Sequence, residues 1–474
     1  MRLIIMFLML CPIFTPASLF ASDEALASEH AAKFAILLDT AIAQNLIAGG
    51  VVVVGNQDGI IATSARGQLN AAPGSPQLDE RSIFDVASLT KVIATTPAVM
   101  KLVEEGRISL SDPVSRWFPE FAAPGYGEIT ILNLLTHTSG LQDIMVGAKQ
   151  SMTDAIRKAA GQKYRQQAGS HFRYADINFI LLGELVLRLT GETLDVFCQE
   201  QIYGPLGTEE TMFLPPRELA AAIAPTAGTR AGVVQDLNAR RLGGVAGHAG
   251  LFSSAYDLSR YARLMLGRGV IDDRRILSES VVAQMTTPYS CSQGEVLRGL
   301  GWDMESQYSA PKGSFFSAAS FGHTGYSGSS IWIDPQQDLF VIMLTRRLNY
   351  SDTRNFNQLR RDVSTMASAA YRMPDEGLAL TTRWEEAKIT AQVLVAAETA
   401  TQAPRRRTQV AARCSDKLQP RQRADRQLAK KDRGSRRLAN SGVGPRVSRI
   451  SKVAKADAAK TVHTGRKRRT LPKS

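Results

Sequence analysis

Apolar positions recur along the chain at two periods. In residues 24–46 (EALASEHAAKFAILLDTAIAQNL) they place Phe34, Leu37, Leu38 and Ile42 on one face, which predicts a helix. VVVVG (51–55) and IIATSARG (60–67) are parted by NQDG and predict a hairpin. SLTKVIATTPAVMKLVEE (88–105) reads as a buried helix, and GRISLSDPVSRWFPEF after it as a loop with short turns. ITILNLLTHTSGL (129–141) begins as a short helix and ends at Gly140. DINFILLGELVLRLT (176–190) predicts an apolar helix ended by Gly191. Glycine-rich GGVAGHAGLFSSAYDL (243–258) leads into a helix, SRYARLMLG. Farther on, IWI predicts a strand, Asp334-Pro335 a turn, DLFVIMLTRR (338–347) a buried strand, and 353–371 an amphipathic helix.

That order is helix and hairpin first, helices in the middle, strands and a helix last. It predicts an α+β fold: one antiparallel β-sheet flanked by helices, with a second, mostly helical lobe. A cleft between the two is the natural place for a site. No internal repeat is visible.

Charge divides the chain further. Of the 57 Lys+Arg residues, 23 lie in 401–474 with only four Asp, a balance of +19; against a net charge of +13, the rest carries −6. The basic tail has almost no aromatics and reads as disordered. Two readings of it stay open: a solvated extension, or a tether to anionic envelope polymers or a membrane surface. No specific nucleic-acid partner is expected. The N-terminus, MRLIIMFLMLCPIFTPASLFASDEALA, has a positive start, an apolar run and small residues near Ala21. This predicts a signal peptide over 1–21 and export to the periplasm or envelope, with a membrane anchor as the other possibility. The folded domain is expected over 30–372, and 373–400 as a linker. Cys198, Cys291 and Cys414 are too far apart to suggest a disulfide framework.

The chemistry-bearing candidates begin with Ser88 and Lys91, which share a helix face at i and i+3. A serine hydroxyl needs a base to become a nucleophile. A deprotonated lysine supplies one; a charged lysine stabilises a neighbouring base instead. Spacing alone proves little, since Ser309 and Lys312 have it too. Two further elements follow in chain order: Tyr174-Ala175-Asp176 before a helix, and His323-Thr324-Gly325 before a strand.

With these three elements the chain resembles the serine β-lactamase and penicillin-binding-protein superfamily, in its class C β-lactamase-like branch. That branch has Ser-x-x-Lys, then Tyr-x-Asn, then Lys-Thr-Gly or His-Thr-Gly. The likeness runs from about residue 30 to 372 and includes LTHTSGL and GHTGYSGSSIWIDP. It implies a β-lactamase/transpeptidase-like fold and a serine hydrolase: a DD-carboxypeptidase, β-lactamase or esterase. Its substrate would be a small molecule or a peptidoglycan peptide. A non-catalytic penicillin-binding sensor is the alternative. The resemblance makes Ser88 the acylated nucleophile, with Lys91 and Tyr174 as the proton-transfer pair. The backbone amides of Ser88 and Tyr326 would form the oxyanion hole, and Asp176, His323, Thr324 and Gly325 would contact substrate.

Two residues depart from the pattern. Asp176 replaces an asparagine and should hold Lys91 as an ammonium, which points to Tyr174 as proton acceptor; capping the next helix is its other reading. His323 replaces a lysine and should grip a substrate carboxylate more weakly. Ser327 in GYSGS nearly matches a lipase nucleophile elbow. His137 reads as a triad histidine or a loop tie, and His248 as a substrate or metal ligand. Met145, Met212 and Tyr326 line a pocket or pack. Six histidines without a His-x-x-x-His pair argue against a metal site, and no cofactor is expected.

Overall fold

The computed structural model describes residues 31–122, 129–162 and 166–371. The segments read as signal peptide, linker and basic tail lie outside these residues. Eight antiparallel strands form the main sheet, in the spatial order Ile60–Gly67, Ile47–Gly55, Leu339–Arg347, Ser330–Asp334, Phe321–Thr324, Asp303–Glu305, Val296–Arg298, Tyr289–Cys291. The first and last long strands of the domain are therefore neighbours, with Val52 opposite Met343 and Val53 opposite Ile342.

This central position explains the unbroken VVVV run. Val52 and Val54 face a layer made by helix 31–43 and helix Thr353–Ala370, where they meet Phe34, Leu38, Trp332 and Phe356. Val51 and Val53 face the other way, into the large core shared with Val92, Met100 and Leu264. A strand buried on both faces shows no alternation, so its period of two is hidden. At the hairpin, Asn56 Oδ1 accepts from the amides of Asp58 and Gly59 at 3.0 and 3.1 Å, the turn chemistry expected of NQDG.

The second lobe is mostly helical, as expected, and includes Asp176–Thr190 and Ala255–Leu266. It also holds a small sheet of Met212–Phe213, Leu251–Ser253, Ile83–Asp85 and Ile223–Ala224, in that order. Strands of two or three residues are too short to leave a periodic signal. Strands 289–291, 296–298 and 303–305 escaped the sequence reading for the same reason. Gly191 ends its helix in the left-handed conformation, φ 81°.

The segment 88–105 is not one α-helix. It opens as a 3-10 turn, Ala87–Leu89, widens to a π-turn, Lys91–Thr95, and becomes α-helical only over Thr96–Glu104. Pro97 gives the reason. A proline ring collides with the carbonyl four residues back, and widening the turn relieves the crowding. The Thr96 amide accordingly donates to Lys91 O, five residues back.

Among the described residues no helix is long and apolar enough to cross a membrane. Cys198 and Cys291 are buried free thiols, as their spacing suggested.

Candidate active site

Ser88 sits on a tight turn between strand Ile83–Asp85 and the π-turn. Ala87 is left-handed, φ 49°, a conformation uncommon for alanine. The Asp85 carboxylate stabilises it by accepting from the Ala87 amide at 2.8 Å and, across the fold, from the Gln235 amide at 2.7 Å. Burial pushes Asp85 up to about 6, against the pull of these two amides.

Lys91 is fully buried. Nζ donates to Ser88 Oγ at 3.0 Å and to the His248 carbonyl at 3.1 Å, and pairs with Asp176 Oδ1 at 2.7 Å. Burial alone would lower its pKa; the Asp176 carboxylate, with Tyr174, outweighs it and holds Lys91 above its ordinary value. Asp176 is correspondingly low: burial opposes ionisation, and Lys91 prevails. Asp176 does not cap its own helix. Asp143 takes that part, accepting from the Ile177 amide at 3.2 Å.

Tyr174 completes the group. It lies beside Lys91, whose Nζ is 5.0 Å from the centre of its ring, and lines the pocket with Ser88. Burial raises its pKa, and Lys91 only partly offsets this, so at rest it is a phenol. Both shifts favour the protonated forms, the Lys91 ammonium and the Tyr174 phenol.

His137 lies behind Tyr174, not beside Ser88. The two rings stack at 4.5 Å and 29°. His137 Nδ1 accepts from the Ala175 amide and the Asn178 side chain, both at 3.2 Å. Burial, with Arg298 and Lys91 nearby, holds it well below the ordinary histidine range. Of its two readings, the loop tie fits this geometry. His248 Nε2 lies 2.9 Å from Asp236 Oδ1. Asp176, Asp236 and His248 bring ligand-type atoms within 4.8 Å of one another, and the Lys91 ammonium already supplies the positive charge there.

In front of Ser88 opens a pocket of about 300 Å³, lined by Ser88, Tyr174, His323, Thr324, Gly325 and Tyr326. The pocket thus brings together Ser88, Tyr174 and the segment His323 to Tyr326, with Lys91 bonded to Ser88 and Asp176 paired with Lys91. Met212 lines a different pocket, and Met145 is exposed. Ser327 is buried and donates to the Asp85 carbonyl at 2.6 Å, which leaves the elbow reading without support. His323 is buried too, and Nδ1 lies 2.9 Å from the Thr324 carbonyl, so that nitrogen carries the proton. Burial, with Arg298 and Lys91, keeps His323 well below the ordinary range, hence neutral at pH 7.

The positive charge comes from residues the sequence reading missed. Arg298, Arg347 and Arg360 also line the pocket. Arg298 is neutralised by Asp303 at 2.8 Å. Among the described residues, Arg347 and Arg360 have no carboxylate partner. Arg347 Nη2 and Arg360 Nε are buried donors without an acceptor. Burial, then Arg347, pulls Arg360 down to about 9. A signal existed: Arg360 falls among Phe356, Leu359 and Val363 on the buried side of its helix, where an arginine is costly.

The beta-lactamase family matches over residues 34–364. The chain belongs to the beta-lactamase family. It is 30% identical over 304 residues to an Escherichia coli (strain K12) protein named "Putative D-alanyl-D-alanine carboxypeptidase", covering 56% of this chain and 69% of that one. It is 30% identical over 364 residues to the N-acetylmuramyl-L-alanine amidase of Bacillus subtilis (strain 168), covering 65% and 80%. Two solved structures share the fold. EstCE1, a hydrolase with promiscuous acyltransferase activity, has TM-score 0.59 at 22% identity, over 73% of this chain and 99% of its own. The octameric penicillin-binding protein homologue from Pyrococcus abyssi has TM-score 0.57 at 22% identity, over 72% and 79%. The protein is thus a hydrolase of the beta-lactamase and penicillin-binding-protein fold.

Proposed function

We propose that this hydrolase works through an acyl-enzyme on Ser88 and acts on peptides that end in a free carboxylate, of the D-Ala-D-Ala type. One observation carries the reading: Ser88 Oγ accepts from the buried Lys91 ammonium at 3.0 Å, in a pocket that Ser88 lines together with Tyr174, Arg347 and Arg360.

Ser88 Oγ attacks the scissile carbonyl and forms the C–O bond. Its proton passes to the Tyr174–Lys91 pair once that pair has lost one proton to solvent. The amides of Ser88 and Tyr326 hold the oxyanion. Collapse breaks the C–N bond, and the pair returns the proton to the leaving amine. Water then attacks the ester, with the same pair as base, and frees Ser88. Arg347 and Arg360, rather than neutral His323, hold the substrate carboxylate. The amidase and carboxypeptidase names of the two relatives favour a peptidoglycan peptide. Action outside the cytoplasm fits such a substrate and the N-terminal pattern.

Mass spectrometry of the protein with a penicillin, and release of D-Ala from a D-Ala-D-Ala peptide, test this. An adduct on Ser88 and D-Ala release are expected, both lost in Ser88→Ala. Turnover surviving in Ser88→Ala would falsify the mechanism. A second reading, a carboxylesterase, draws on the neutrality of His323. It predicts faster turnover of a short neutral ester than of the peptide.

A further inference from the structure

The GYSGS segment after His323-Thr324 holds two serines that the chemistry above leaves unused. Both are buried, Ser327 at 3% and Ser329 at 2% exposure. Ser327 Oγ donates to the Asp85 carbonyl at 2.6 Å, and Ser329 Oγ donates to the Val86 carbonyl at 2.8 Å. Each bond crosses from one turn to another more than 240 residues away in sequence. Those two turns have one functional feature in common. Each supplies one of the two backbone amides assigned to the oxyanion hole: Ser88 lies just after Asp85 and Val86, and Tyr326 just before Ser327.

The contact between the turns leaves no slack. A Cβ on Gly325 would lie 2.5 Å from the Val86 carbonyl oxygen and 2.1 Å from Ser329 Oγ, so only glycine fits between them. The Gly325 amide donates back to the Ser329 carbonyl at 2.8 Å, which closes the turn around Tyr326. Arg360 Nη2 anchors the same turn from behind, on the carbonyls of Gly325 at 2.6 Å and Ser329 at 2.8 Å.

We propose that Ser327 and Ser329 are positioning residues that set the spacing between the two amides of the oxyanion hole. They touch no substrate and act through the backbone on either side of it. The proposal rests on the acyl-enzyme reading of Ser88. An oxyanion must receive both amides at once, so a hole whose halves drift apart loses transition-state binding while ground-state binding is kept.

The test uses the full chain and a fluorophosphonate probe, whose tetrahedral adduct places an oxygen where the oxyanion would sit. The first-order labelling rate and the probe's binding constant are measured separately by mass spectrometry. In Ser327→Ala and Ser329→Ala the labelling rate is expected to fall about 10- to 100-fold, with binding changed less than about 2-fold. Ser327→Thr, which keeps the hydroxyl, restores most of the rate. If Ser327→Ala does not fold, Ser327→Cys makes the same comparison with a weaker donor of similar size. Alanine variants that label at the wild-type rate overturn the proposal, and so does a threonine variant as slow as alanine. A wild-type protein that takes no label at Ser88, or a Ser88→Ala protein labelled as fast, overturns the acyl-enzyme reading instead. The wild-type and Ser88→Ala arms therefore tell the two failures apart.

Discussion

Two Ser-x-x-Lys segments occur in this chain, and only one makes a site. At Ser88 and Lys91 the serine oxygen and the ammonium lie 3.0 Å apart, with the lysine fully buried. At Ser309 and Lys312 each side chain has turned to other partners. Ser309 Oγ donates to Asp303 Oδ2 at 2.9 Å, and Lys312 Nζ donates to the Met304 carbonyl at 3.2 Å. Lys312's carboxylate partner, Glu305, is largely exposed at 3.5 Å. Spacing is shared; surroundings are not. The first pair has a strained turn, a buried carboxylate counter-ion and a pocket in front. The second sits on a 3-10 turn at the rim of the same pocket, where Ala310 and Pro311 line the wall, and its serine and lysine do not bond each other.

The most severe way to break this comparison is to remove each serine in turn. Ser88→Ala should cost about 10³-fold or more in ester or peptide turnover. Ser309→Ala should leave turnover within about 2-fold and lower the thermal midpoint slightly, because it removes one bond to Asp303. Equal losses in the two variants, measured on one substrate, would dissolve the distinction.

Next in size is the counter-ion. Lys91 and Tyr174 are both held above their ordinary values, so the proton-accepting form is scarce at pH 7 and gains as pH rises. The wild-type kcat/KM for p-nitrophenyl acetate should therefore climb through pH 7–9, by up to about tenfold per unit. Asp176→Asn removes the strongest support for the ammonium. Its rising limb should move to lower pH, while the maximum rate drops about 10-fold because Lys91 is less firmly placed. An unshifted limb would mean that Asp176 does not set the charge of this pair.

A milder probe separates the pocket's two ends. Arg347→Gln takes away an unpaired cation without touching Ser88. The preference for a D-Ala-D-Ala peptide over p-nitrophenyl acetate, as a ratio of kcat/KM, should fall about 10-fold. An unchanged ratio would leave the carboxylate to some other group.

Much of this was legible beforehand, and the reasons are instructive. The central strands show in short apolar runs such as VVVV and LFVIML, and the helices in apolar spacing sustained over ten or more residues. The site's reactive groups show because three short motifs stand in order. What stayed hidden shares one physical cause: it depends on contacts between segments far apart in sequence. Asp85 accepts from Gln235, Ser327 donates to Asp85, and Arg360 donates to Gly325. No local period records such a bond. The π-turn at Lys91 is a middle case, since Pro97 announces a break without saying which kind.

The smallest effect concerns Asp85, whose carboxylate holds the Ser88 turn through two backbone amides, whereas Asp303 at the Ser309 turn accepts from side-chain hydroxyls. Its folded value of about 6 lies above its ordinary 3.8. A raised acid binds its proton more tightly in the folded state, so its contribution to stability grows as pH falls through 6 and is fully present below about 4. Asp85→Asn cannot titrate, and its amide NH2 faces one of two backbone N–H groups that both need an acceptor. The variant should be destabilised by about 1–3 kcal/mol. That deficit should also widen as the pH is lowered from 7.5 to 5, since only the wild type gains by protonation. Urea unfolding of both proteins at the two pH values measures the difference. A deficit that is constant, or that narrows at pH 5, would mean that Asp85 holds the turn as an ordinary low-pKa carboxylate. The left-handed Ala87 would then rest on that charge at every pH where the enzyme works.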